Sequence, residues 1–327
     1  MPTNLPPDYF DAEKRYREAK TAPDKIAALE EMLAIMPKHK GTDHLKADLR
    51  RRIAKLMQSG GKKAAAQRAA MTVQKEGAAQ VPVIGTPNSG KSSIVNALTN
   101  ASPTVAEYPF ATYTIVPGMM EYENIQIQLL DTPPLVSGST LALLPPNLVR
   151  ADALLIVIDL SGDPLSQMET ITSELAGMRI GIGSVTDEGD EEEIIRHNKK
   201  ALIIGNKIDI EGAAENYETL EELYRDDLPI LSISAARGTG LEDLKLAIFQ
   251  LLEIIRVYTK TPGQKPDMND PIVLPMGSTL ADAATEVHKD FAANLKFARI
   301  WGSGKHDGVM AKRDHILQDG DIIELHM

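Results

Sequence analysis

Residues Gly85-Thr86-Pro87-Asn88-Ser89-Gly90-Lys91-Ser92 fit G-x-x-x-x-G-K-[ST] and lie between the β-rich run 81–84 (VPVI) and the helical run 92–98 (SSIVNAL). Binding phosphate requires these types in this order. Glycines let successive backbone N–H groups turn inward around an anion, and the following helix adds the positive end of its dipole. Lys91 would neutralise charge on β- and γ-phosphates, and the Ser92 hydroxyl would ligate Mg²⁺. The candidate cradle is therefore Gly85, Pro87, Asn88, Ser89, Gly90, Lys91, Ser92 and Ser93. A merely glycine-rich turn is the competing reading, and the strand–loop–helix context argues against it.

A second constellation, Asn206-Lys207-Ile208-Asp209, follows the β-rich run 201–204 (ALII). A carboxylate here can accept two hydrogen bonds from guanine, at N1–H and the 2-amino group, a donor pair that adenine lacks. Leaving that carboxylate unpaired costs about 1–3 kcal/mol, enough to select the base. Alone, N-K-x-D is often just a turn after a strand; about 115 residues beyond a phosphate loop it specifies guanine. Ser234-Ala235-Ala236, after the run 228–234 (LPILSIS), would support the same base. Asp131 closes the run 125–130 (IQIQLL), where a second Mg²⁺ contact, through water, is needed. A threonine upstream of that strand should sense Mg²⁺ and the γ-phosphate, and spacing leaves Thr104, Thr112 and Thr114 as alternatives.

Short β-rich runs alternate with helical stretches from Val81 to about Tyr258, the pattern of an α/β fold with a mostly parallel sheet wrapped by helices. Ahead of it, 24–36 and 44–57 each carry an apolar stripe (Ile26, Leu29, Leu33, Met36; Leu45, Leu49, Ile53, Leu56), predicting a helical hairpin. Ser59-Gly60-Gly61-Lys62-Lys63 is the expected hinge, followed by more helix. Behind it, 261–271 (TPGQKPDMNDP) is a linker. Residues 272–327 read as a small α+β module with a helix around Leu280–Asn294 and a hairpin-like end at 319–325. The expected domains are 1–63, 64–260 and 268–327.

Composition narrows the function classes. The 327 residues include no cysteine, which excludes disulfides, thiolate metal sites and a cysteine nucleophile. The N-terminus lacks the apolar core of a secretory signal and no apolar run approaches about 20 residues, so a cytoplasmic protein with no membrane role is expected. Aromatic residues make up 4%, which disfavours a stacking platform for single-stranded nucleic acid. Residues 1–80 hold 16 Lys/Arg against 10 Asp/Glu, leaving 19 against 36 for 81–327. A polyanion such as RNA would meet the basic arm first, unless that arm is only a solvated helical face. The Gly-rich then acidic segment between Gly181 and Asn198, with six acidic residues in seven at Asp187–Glu193, reads as a solvated surface loop, with metal binding the alternative. The seven histidines show no ligand spacing, and Trp301 reads as core or as an anchor of the last module.

The wording around the motifs, YPFATYTIVPG (108–118), IQLLDTPP (127–134), NKID (206–209), YTKTPGQKPD (258–267) and FARIWGSGKHDG (297–308), resembles the developmentally regulated GTP-binding protein family, within the Obg-like group of translation-factor-type GTPases. The resemblance covers most of the chain. It implies GTP and GDP as ligands, slow hydrolysis, and association with ribosomes or RNA. It also implies a ubiquitin-like β-grasp (TGS) fold for about 270–327, which would contact a protein partner; DNA is not expected. By the same resemblance Thr112 is the switch I threonine.

Three departures from the family pattern stand out. Pro134 replaces the glycine of D-x-P-G, and proline has no N–H for a γ-phosphate, so GTP and GDP affinities should differ little. No insertion domain separates Asp159 from Asn206, which leaves eukaryote-type partner binding without its module. Leu135 stands where a water-orienting glutamine is placed in Ras-like enzymes, so turnover should be slow. Asn88 is the residue type that similar GTPases use to hold K⁺ beside the phosphates, against a reading as simple loop stabilisation. Lys91, Thr112 and Asn88 are thus the candidate catalytic residues, with Ser92, Thr112 and Asp131 for Mg²⁺ and Asn88 for K⁺. The rival function is a non-hydrolysing guanine-nucleotide-binding scaffold on RNA or the ribosome; a small-molecule kinase conflicts with NKID.

Overall fold

The computed structural model describes residues 7–19, 22–35, 46–53, 72–99, 114–137, 143–183, 197–288, 294–303 and 307–326. The chain divides into two units, Met1–Thr72 and Val73–Met327. In the first, helices α1 (Pro7–Glu18), α2 (Ala22–Ile35) and α3 (residues 46–53) share a small core of Tyr9, Ala12, Leu29, Met32 and Leu49. Periodicity points to α2 and α3 but not to α1, whose sequence is mostly polar. The expected hairpin is thus joined by a third helix. The predicted hinge at 59–63 lies outside the described residues.

The second unit is built on a six-stranded sheet in the order β2-β3-β1-β4-β7-β8. Its strands are β1 (Ala79–Gly85), β2 (Val116–Tyr122), β3 (Ile125–Asp131), β4 (Leu154–Asp159), β7 (Ala201–Asn206) and β8 (Ile230–Ser232). Only β2 and β3 pair antiparallel; the other pairs are parallel. Both faces of the central strands are covered, so apolar residues run almost continuously along them. On β4, Leu154, Ile156 and Ile158 pack with α5 (Leu144–Arg150), α6 (Pro164–Gly177) and α7 (Ala213–Tyr224), whereas Leu155 and Val157 pack with α4 (Lys91–Leu98) and α8 (Leu241–Leu252). β2 is the strand of this sheet that the sequence reading misses, because Pro117 and Gly118 interrupt its pattern. Short strands β5 (Ile180–Ile182) and β6 (His197–Lys199) pair in parallel, so the ends of the stretch expected to be a surface loop are strand-paired. Its acidic middle, Asp187–Glu193, lies outside the described residues.

A second, five-stranded sheet has the order β10-β9-β13-β11-β12, from β9 (Ile254–Thr259), β10 (Ile272–Pro275), β11 (Phe297–Trp301), β12 (Val309–Ala311) and β13 (Ile322–His326), with α9 (Leu280–Val287) packed on it. This corrects the expected boundary at 260. β9 belongs to the second sheet: Ile255 and Val257 point into its core, and the 261–271 linker is the loop between antiparallel β9 and β10. The hairpin-like end is instead a turn leading into β13, which pairs antiparallel with β11 and parallel with β9. The β2–β3 turn docks on this sheet. The Arg256 guanidinium donates to Glu123 and Asp319 and lies 5.0 Å from the Phe249 ring centroid, while Asn124 Nδ2 donates to the Tyr258 hydroxyl at 2.7 Å.

Candidate functional site

The parallel strands β1, β4 and β7 all end at one edge, and the candidate residues lie on the loops that leave them. The loop 86–90 turns from β1 into α4 through two residues with positive φ, Asn88 (61°) and Gly90 (93°). Glycine is required at the second. A Cβ on Gly90 would collide with the side-chain amide of Asn206, so the phosphate loop and the base loop touch only because that Cβ is missing.

At the phosphate end the Lys91 ammonium donates to the Gly85 carbonyl at 3.1 Å and to the Thr86 carbonyl at 2.8 Å. Burial pushes its pKa down to about 8, against the opposing pull of Asp131. Burial likewise raises Asp131, opposed by the Ser92 hydroxyl bond and by the Lys91 charge. Asp131 Oδ1 is fully enclosed and has no hydrogen-bond partner among the described residues. An orphaned carboxylate oxygen beside a serine hydroxyl is the hard-oxygen donor set that Mg²⁺ takes, so these residues fit that ion.

At the base end every polar group is already engaged. Asn206 Nδ2 donates to the Ser89 carbonyl at 2.9 Å, and Asn206 Oδ1 accepts from the Ala235 N–H at 3.1 Å. Lys207 adopts φ 68° and reaches Asp159 Oδ2 at 2.5 Å. The Ser234 hydroxyl, outweighing desolvation and helped by Arg237, holds the Asp209 carboxyl below its usual range, so it is ionised and aimed. Ser234 itself is buried and also accepts from the Arg237 N–H at 3.1 Å.

Sequence reasoning did not find the residues that bridge these ends. Gln167 on α6 accepts from the Thr86 hydroxyl (3.0 Å) and from the Asp159 N–H (2.9 Å), and donates to the carbonyls of Asp159 (2.9 Å) and Asp163 (3.0 Å). Burial works against the Asp159 carboxylate, but bonds from Lys207 and Ser161 outweigh it and keep its pKa below the ordinary value. The Asp at the end of β4 carried a signal in the sequence, a strand-terminal carboxylate. Gln167 carried none.

The structure brings together Gly85, Pro87, Asn88, Ser89, Gly90, Lys91, Ser92 and Ser93 with Asp131, Asn206, Lys207, Asp209, Ser234, Ala235 and Ala236 around one strand edge. Thr112 and Thr104 lie outside the described residues. Leu135 is not exposed to the site at all: its side chain is fully buried in the core with Ile84 and Leu130, and its N–H donates to the Gly85 carbonyl at 3.0 Å. Thr132 Oγ1 donates to the Val83 carbonyl at 2.8 Å, pinning the start of the Thr132-Pro133-Pro134 segment to β1.

Residues 80–207 match the family described as 50S ribosome-binding GTPases, and residues 255–327 match the TGS domain, a span that takes in β9 from Ile255 onward. The chain is 31% identical to a GTP-binding protein of Methanocaldococcus jannaschii over 92% of each chain. That alignment runs over 366 positions against the 327 residues here, so the relative carries segments this chain lacks. Identity is 28% to developmentally-regulated GTP-binding protein 1 of Xenopus laevis (92% of this chain, 98% of that one) and 27% to ribosome-interacting GTPase 1 of Saccharomyces cerevisiae (93% and 99%). Among solved structures the YchF GTPase of Schizosaccharomyces pombe shares the fold at a TM-score of 0.54 and 15% identity, over 77% of this chain and 99% of that one.

Proposed function

The chain belongs to the developmentally regulated GTP-binding protein family, and we propose that it slowly hydrolyses GTP to GDP and phosphate while acting on ribosomes or RNA. The observation that carries this reading is the Lys91 ammonium parked on two loop carbonyls beside the buried Asp131 oxygen, which has no partner among the described residues. Lys91 would transfer its donors to β- and γ-phosphate oxygens, where charge accumulates as the β–γ bond breaks. The loop amides cradle the same oxygens. Ser92, Asp131 and Thr112 would hold Mg²⁺, which supplies further charge neutralisation when bound. With Leu135 in the core, no side chain at that position orients the attacking water, and turnover is slow. Asn88, exposed on the outer turn of the loop, is the residue for K⁺, which would stimulate hydrolysis.

Thr112 would meet the γ-phosphate and Mg²⁺ when GTP is bound. It lies just before β2, and Asp131 ends β3, so both segments nearest the γ-phosphate are rooted in one hairpin whose tip grips Arg256 and Tyr258. That hairpin is the route by which nucleotide state would reach the TGS sheet. The yeast relative is named as ribosome-interacting, and the basic arm supplies the charge that such a polyanion requires. We place its action in the cytoplasm; among the described residues no helix is long and apolar enough to cross a membrane.

Single-turnover phosphate release with Mg²⁺ tests the reading. Release in K⁺ exceeding that in Na⁺ supports it. Tight nucleotide binding without any release would favour the second reading, a guanine-nucleotide-binding scaffold, for which Pro134 and the buried Leu135 speak.

A further inference from the structure

We infer that Gln167 is a positioning residue that locks the phosphate loop to the base-reading loop, so that the two ends of a guanine nucleotide are held as one unit. Its carboxamide is fully used, with two bonds accepted and two donated, and three different segments meet on it. Toward the phosphate loop it takes the Thr86 hydroxyl. Toward β4 it clasps both the N–H and the carbonyl of Asp159, which fixes the orientation of the residue whose carboxylate holds Lys207 of the base loop. Toward its own helix it reaches the Asp163 carbonyl.

The need for such a lock follows from Lys91. The lysine now steadies the loop through the carbonyls of Gly85 and Thr86, and it must leave both to meet phosphate. The Thr86–Gln167 bond does not involve the ammonium and survives that move. It then keeps the first turn of the loop in register with the base end, where Asn206 provides the other tether through Ser89. Helix α6 is itself well anchored: the Asp163 side chain caps it by accepting from the N–H groups of Leu165 and Ser166, and Pro164 occupies its first turn. Gln167 therefore projects from a rigid element, as a positioning group should.

This inference rests on guanine-nucleotide binding by the pocket described above. Release of fluorescently labelled GDP from the full chain with Mg²⁺, followed by stopped flow, tests it. One lost neutral hydrogen bond is worth about 1 kcal/mol, so Thr86→Val should speed release about fivefold. Gln167→Leu, losing several, should speed it tenfold or more, on the order of 1.4 kcal/mol per factor of ten. The double variant should release GDP no faster than Gln167→Leu alone, because both changes break the same link. Thr86→Ser, which keeps the hydroxyl, should behave as wild type. A purely structural role for Gln167 in α6 would instead make the two fold-changes multiply, and that result, or unchanged release in Thr86→Val, overturns the inference. Should Gln167→Leu fail to fold, Gln167→Asn, too short by one methylene to reach Thr86, replaces it. Wild-type chain that does not bind GDP at all would overturn the nucleotide reading as well, which separates the two failures.

Discussion

The two ends of the nucleotide site are built differently. The base end is finished before any ligand arrives: Asn206, Lys207, Asp209 and Ser234 each have partners, and the Asp209 carboxyl is held ionised. The phosphate end is turned on itself, with Lys91 on the carbonyls of its own loop and an Asp131 oxygen without a partner among the described residues. On the proposed reading specificity rests on a preorganised surface, and the groups proposed to do chemistry must rearrange to act. A preformed base reader loses little entropy on binding. A lysine held on backbone carbonyls avoids the cost of an unpaired buried cation until phosphate replaces them.

The largest expected effect lies at the phosphate end. Lys91→Ala removes charge-assisted bonds to the β- and γ-phosphates, each worth about 1.5–3 kcal/mol, so GTP affinity should fall about 100-fold or more by calorimetry and GDP affinity, with the β-phosphate bond alone, about tenfold or more. At the base end, Asp209→Asn should cost guanine nucleotides about 2–3 kcal/mol and improve binding of xanthine nucleotides. If Asp209→Asn proved the more damaging of the two for GTP, the contrast between a selective end and an energetic end would be wrong. Pro134→Gly sharpens the picture at the γ-phosphate: the added N–H should raise the GTP-to-GDP affinity ratio about tenfold, from near unity in the wild type. The smallest effect concerns Asn88. Hydrolysis should run several-fold faster in K⁺ than in Na⁺, and Asn88→Ala should abolish that difference in phosphate-release rate.

The phosphate loop and N-K-x-D were legible because their work is done by contiguous backbone and side chains at fixed spacing. Gly90 and Lys91 act within one turn, and Asp209 acts three residues after Asn206. The bridge between the ends was not legible. Thr86, Asp159 and Gln167 are ordinary residue types drawn from three segments, and only the folded sheet edge makes them neighbours. Helix α1 escaped because its burial depends on a few positions, Tyr9 and Ala12 among them, in a polar stretch. The sequence puts a boundary at 260 because the turn-rich run 261–271 starts there, whereas the buried residues 255–258 of β9 join the second sheet. Leu135 offers no group to bind water, and its burial is visible only with the core around it.

Equilibrium binding of GTP and ATP to the wild-type chain with Mg²⁺, measured side by side, tests the central claim most directly. The preorganised Asp209 and Asn206 should give GTP an advantage of about 100-fold or more, the value of two hydrogen bonds to an ionised carboxylate. Equal affinity for the two nucleotides, or no binding of either, would contradict it.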